Sequence, residues 1–157
     1  MTSISELNNT PREISIGDTK LTFRQLKIGE LFGYFENKIR NNKMEDAQAM
    51  AKLMEPAERS DFMVKIWDNM PSGEKLTNMS IESMISMDGI ADMLFMASSD
   101  FDASISLEQI KGMVTVNNLP ELTPLLKWIN GQDVVLEPDN TDNAEGSDDT
   151  DSSEKKT

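Results

Sequence analysis

The side chains that do most covalent chemistry near neutral pH are missing from this chain. Among its 157 residues there is no His and no Cys. Without imidazole there is no Ser-His-Asp triad and no His general base. Without a thiol there is no Cys nucleophile, no disulfide and no structural zinc of the usual kind. Carboxylates remain. Asp100, Asp102 and Ser104 begin like a calcium loop, but the sixth position is Ile105, where Gly is needed. The twelfth is Lys111, where a bidentate Glu is needed. The run reads instead as a polar loop before a helix cap at Ser106. Glu45-Asp46 and Glu55-Glu58 are neighbours in sequence, but nothing sets them across a pocket, as glycoside hydrolysis requires. Gly17, Gly29 and Gly33 fit neither a P-loop nor a dinucleotide fingerprint. The expectation is a non-enzymatic protein with no catalytic residue, no metal ligand and no cofactor.

What the residues offer instead is adhesion. Of 12 methionines, eleven lie between Met44 and Met113. Met is flexible and polarizable, and Met-rich surfaces re-pack around varied apolar partners. Core filling suits Met50, Met54, Met84 and Met93, which fall on apolar stripes. Met79, Met87 and Met96 fall off the strongest stripe of their helices, and if exposed they make an adhesive face. Trp67 and Trp128 each sit late in a helix beside a stripe residue, where core packing and an interface anchor are both open. Tyr34, between Gly33 and Phe35, is a candidate exposed contact. Tyr34, Trp67, Met79, Met87, Met96 and Trp128 are therefore the candidate partner-binding residues.

Charge narrows the partner. Lys+Arg number 15 against 28 Asp+Glu, a net charge of −13. That argues against nucleic acid, because phosphate contacts need cations to release counterions. It also argues against an anionic membrane surface. No apolar run approaches the roughly 18 residues of a membrane span. The start, Met1 to Pro11, lacks the basic-then-apolar pattern of a secretory signal.

The elements that must carry these side chains are legible as changes of period. Residues 1–11 read as a flexible polar leader. Residues 12–131 carry nearly all the apolar side chains, and residues 132–157 read as a disordered acidic tail. From Glu137 onward there are eight acids and two lysines, net −6, and no large apolar residue. The domain opens with a hairpin signal: Ile14 and Ile16 alternate, Gly17-Asp18 is a turn pair, and Leu21 and Phe23 alternate again. Helical spacing follows. Ile28, Leu31, Phe32, Phe35 and Ile39 make one stripe, and Asn41-Asn42 is expected to end it. Ala47, Met50, Ala51 and Met54 mark a second, shorter helix up to Pro56. Phe62, Met63, Ile66, Trp67 and Met70 mark a third. Ile81, Met84 and Ile85 share a face, as do Ile90, Met93, Leu94 and Ala97, with Gly89 between them as a candidate break. Ser106 to Gln109 reads as a capping box with Ile105 and Ile110 as its staple. Asn118-Leu119-Pro120-Glu121 opens a last helix that Gly131 stops. The expected fold is mainly α: a small helical domain of about five to six helices with an N-terminal β-hairpin.

The order of these parts resembles the tail assembly chaperones of long-tailed bacteriophages. The hairpin REISIGDTKLTF runs directly into RQLKIGELFGYFENKIR. Phe23, Leu26, Ile28 and Glu30 occupy the strand-to-helix junction typical of that family. The later half is similar too: a helix with the pair Gly89-Ile90, a helix opened by Ser106 and Glu108, and a last helix after Asn118 to Glu121. The resemblance covers roughly residues 12–131. It implies a non-enzymatic protein that binds the tape measure protein and keeps it soluble while tail tube subunits polymerise around it. Some members also occur as a longer frameshifted product that recruits tube subunits. The implied setting is the host cell cytoplasm, with several copies on one partner and none in the mature virion. Two other classes stay open: a small acidic adaptor or regulator whose tail mimics nucleic acid, and a minor structural tail or baseplate component.

Overall fold

The computed structural model describes residues 10–132. It is mainly helical, with a two-stranded antiparallel hairpin at the start. The strands are β1 (Arg12–Ile16) and β2 (Thr19–Phe23). The helices are α1 (Ile28–Ala51), α2 (Pro56–Asp68), α3 (Gly73–Met84), α4 (Met87–Ser98), α5 (Leu107–Met113) and α6 (Leu119–Ile129). The expected leader and tail, apart from Thr10, Pro11 and Gln132, fall outside the described residues.

The hairpin forms where period-two spacing placed it. Ile16 pairs with Thr19 across the two-residue loop Gly17-Asp18. Gly17 has φ +60°, the left-handed value that primed hairpin turns demand at their first loop position. Ile16, Leu21 and Phe23 are buried. The chain leaving β2 is tied down by its backbone: Arg24 N donates to Ala97 O (2.9 Å) and Leu26 N to Ile129 O (2.8 Å). The two strands, marginal alone, thus lie on the ends of α4 and α6.

The main core joins the hairpin and the start of α1 to Met84 at the end of α3 and to α4, α5 and α6. Phe23, Phe35, Leu94, Ile110 and Ile129 are among its fully buried members. Each such side chain contributes about 1.5–3 kcal/mol through loss of water contact. α4 is its central rod, and every residue from Gly89 to Leu94 is buried. The expected break falls at Ser86, which caps α4 by accepting from Gly89 N (3.0 Å). Gly89 is needed for a different reason. A Cβ there would stand 1.8 Å from the backbone oxygen of Ser83. The capping box forms as read: Gln109 N donates to Ser106 Oγ (3.2 Å) and Ser106 N to Gln109 Oε1 (2.8 Å). Gly131, φ +73°, ends α6, with Gly131 N donating to Trp128 O (3.0 Å) and Gln132 N to Lys127 O (2.9 Å). That is a Schellman stop.

Four expectations need correction. Asn41-Asn42 does not end a helix: α1 is unbroken over 24 residues and contains the expected second helix. Asn disfavours helix only weakly, both side chains are exposed, and no Gly or Pro follows to force a stop. Met50, expected in the core, is exposed. Once α1 is continuous, Ala47 and Ala51 take its buried face and Met50 lies on the flank; Met54 is half-buried. Ile81 and Ile85 do not share a buried face with Met84. The buried line of α3 is Leu76, Ser80 and Met84, and the two isoleucines are exposed. Ser80 can be buried because its hydroxyl donates to Leu76 O (2.9 Å). Ile28 also leaves its predicted stripe, since it is the first residue of α1 and lies outside the core.

Candidate protein-binding surfaces

The main core takes no residue between Phe35 and Met84. From Phe35 onward α1 continues for about 24 Å as the spine of an arm that also contains α2 and α3. The buried residues there are mostly small: Ala47 and Ala51 on α1 and Ser80 on α3, with Leu76 beside them. α2 is the extreme case. None of its 13 residues is buried. Phe62, Met63 and Ile66 are half-buried. On another side Ala57, Ser60, Val64 and Trp67 follow the i, i+3, i+7, i+10 spacing of a helix-packing seam and are all exposed. Trp67 is 64% exposed and Leu53, in the α1–α2 turn, 90%. With Met50, Val64, Ile81 and Ile85 they give the arm most of the large exposed apolar side chains of the described residues. Isolated apolar residues on a surface are ordinary; their concentration on one substructure makes the arm the candidate surface.

The six candidate residues do not gather into one site. Trp67 is exposed on α2 and Met87 is partly exposed at the start of α4. Met79 and Met96 are half-buried, and Met96 packs on the main core. That leaves Met96 little part in an adhesive face. Trp128 is a correction to the idea of an exposed anchor: only 4% of it is accessible. Its ring lies under the Arg12 guanidinium, 4.5 Å from the ring centroid. Tyr34 is half-buried, edge-on to Phe35 with centroids 5.2 Å apart. It lines a polar cleft of about 470 Å³ with Asn37, Lys38, Asn41, Asp92 and Lys111. Burial pushes its phenol pKa up, and the neighbouring Asp92 charge adds to that.

Sequence reasoning missed Leu53, Val64, Ile81 and Ile85. For Val64 a signal was present in the Ala57–Ser60–Val64–Trp67 seam. It was masked by the neighbouring stripe of Phe62, Met63, Ile66 and Met70. Asp92 was also missed. It is wholly buried in α4 and paired with Lys38 of α1, while its second oxygen has no hydrogen-bond partner among the described residues.

The acids considered for chemistry are otherwise engaged. Asp100 Oδ2 accepts from Arg24 Nε (2.7 Å). Asp102 Oδ1 accepts from the Ser104 backbone N–H (2.9 Å) and from its hydroxyl. That local turn holds the Asp102 carboxyl below its usual pKa. Glu30 receives Arg24 through both oxygens, Nη2 to Oε1 at 2.6 Å and Nη1 to Oε2 at 3.1 Å. The pair lowers the Glu30 pKa and raises that of Arg24. This clamp fixes the hairpin-to-α1 junction. Among the described residues no group of three or more acids is placed to hold a metal ion.

Comparison with protein families, curated proteins and solved structures finds no match to this chain. Among the described residues no helix is long and apolar enough to cross a membrane.

Proposed function

We propose that this chain is a non-enzymatic tail assembly chaperone of a long-tailed phage. In this reading it binds the tape measure protein in the host cytoplasm and keeps it soluble until the tube forms. The observation that carries the reading is α2, a helix with no buried residue that presents Val64 and Trp67 on an arm outside the core. A holdase for an apolar helical partner needs such a face, and a helix laid against another helix uses this seam spacing. The order of hairpin, junction and capped helices supports the family reading. A net charge of −13 supports solubility of the complex through repulsion between its copies. Weak contacts repeated along one long partner add by multivalency.

Co-expression with a helix-rich tape measure protein, followed by pull-down and a solubility assay, tests this. The expected result is a soluble partner with the native chain and an insoluble one with Val64→Glu/Trp67→Glu. A partner that stays insoluble and uncomplexed with the native chain overturns the proposal. Presence of the chain in finished particles would favour the structural tail component instead.

A further inference from the structure

β1 has a free edge. The two-residue loop makes Ile16 and Thr19 a hydrogen-bonded pair, and the alternation continues through Ile14↔Leu21 and Arg12↔Phe23. The N–H and C=O groups of Glu13 and Ser15 therefore point away from β2. No backbone group among the described residues bonds them. Beside this edge lies a groove of about 370 Å³ between β1 and α6, within the lower range of ligand pockets. Its apolar lining includes Ile14, Leu122, Leu125 and Trp128. Ser15, from the opposite face of the strand, lines it too, which places the opening at the strand edge rather than beneath the sheet. Pro124, inside α6, also faces it and brings no N–H into the apolar wall.

The ends of the groove differ in charge. Arg12 lies over Trp128 at one end, and no carboxylate among the described residues pairs with it. Glu121 lines the groove one α6 segment away and likewise has no cation among the described residues. Trp128 and Glu121 are separated by about 10.5 Å of helix rise, the length of about three extended residues.

We propose that the β1–α6 groove docks an extended peptide segment of a partner protein by adding a strand to β1. The segment carries an acidic residue for Arg12, an apolar residue for the groove and a basic residue for Glu121, at alternate positions facing inward. Backbone hydrogen bonds to Glu13 and Ser15 supply the pairing, and the pocket and the two charges supply the selectivity. This docking mode is separate from the α2 face and does not depend on the chaperone reading.

Two probes, acetyl-Glu-Val-Leu-Val-Lys-amide and acetyl-Lys-Val-Leu-Val-Glu-amide, are titrated into the full ¹⁵N-labelled chain. Shifts are expected at the Glu13 and Ser15 amides and the Trp128 indole, with one peptide about fivefold tighter than the other. The double swap Arg12→Glu/Glu121→Arg reverses that order. Ser15→Pro, which removes an outward N–H and leaves the β1–β2 ladder intact, weakens both peptides even if the double swap fails to fold. No groove shifts at millimolar peptide, unchanged binding in Ser15→Pro, or an order that the folded swap does not reverse overturns the proposal. So do nuclear Overhauser contacts to Trp128, before peptide is added, from residues 133–157 or from a second copy.

Discussion

Asp92 is the one charged residue buried among the described residues. A buried carboxylate is costly unless a partner answers it, and Lys38 of α1 does so from a half-open position. Lys38→Ala is expected to cost on the order of 3 kcal/mol in chemical denaturation, because it leaves the carboxylate unpaired. Lys38→Met/Asp92→Leu is expected to recover most of that loss. Gly89→Ala makes a second test: with a Ser83 backbone oxygen in the way, it should cost about 3 kcal/mol. Gly89 could be picked out of the sequence as a break between two stripes, although its role as a close-approach residue could not. Asp92 could not be found at all. A central helix buried on every side has no polar face, so an acid within it looks like any solvated position.

At the scale of elements, short-range signals translated well. The turn at Gly17-Asp18, the capping box at Ser106 and the stop at Gly131 all rest on chemistry within a few residues, and each formed where it was read. The register of α1 and α3 depends on distant contacts, so Met50, Ile81 and Ile85 were placed on the wrong side. The junction between hairpin and α1 gives a pH test. Arg24 holds the Glu30 pKa below its ordinary value of 4.5. The pair therefore stabilises the fold above that pH, and its contribution is lost as pH falls through the lower folded value. Glu30→Gln should give a shallower loss of thermal stability between neutral and acid pH than the native chain. On α2, Val64→Ser/Trp67→Ser should leave urea stability within about 0.5 kcal/mol, since both side chains already face water. Partner solubilisation should fall sharply in the same variant.

At the scale of the molecule, just over half of the net charge lies away from the exposed apolar side chains. Residues 133–157 hold nine acids and two lysines, whereas most large exposed apolar side chains of the described residues lie on the arm. A chain ending at Gln132 is expected to keep its melting temperature, because the core and the Schellman stop are intact. Its partner complexes should scatter light at lower concentration than those of the full chain. The difference should shrink in high salt, where screening weakens the repulsion. Composition made the charge division legible. The arm was not legible, because a sequence records which residues are apolar but not which of them the core has room for.

α1 is packed in two regions at once. Its first turns hold Leu31 and Phe35 in the main core, and its last turns hold only Ala47 and Ala51. Amide hydrogen exchange should therefore fall into a gradient along a single rod. Near Phe35 exchange should require global unfolding. Toward Ala51 it should proceed through a cheaper opening in which α2 and α3 let go while the hairpin, α4 and α6 hold. A native chain sampling that opening would expose the half-buried Phe62, Met63 and Ile66 for moments at a time. Protease nicking under native conditions should then begin between residues 52 and 72.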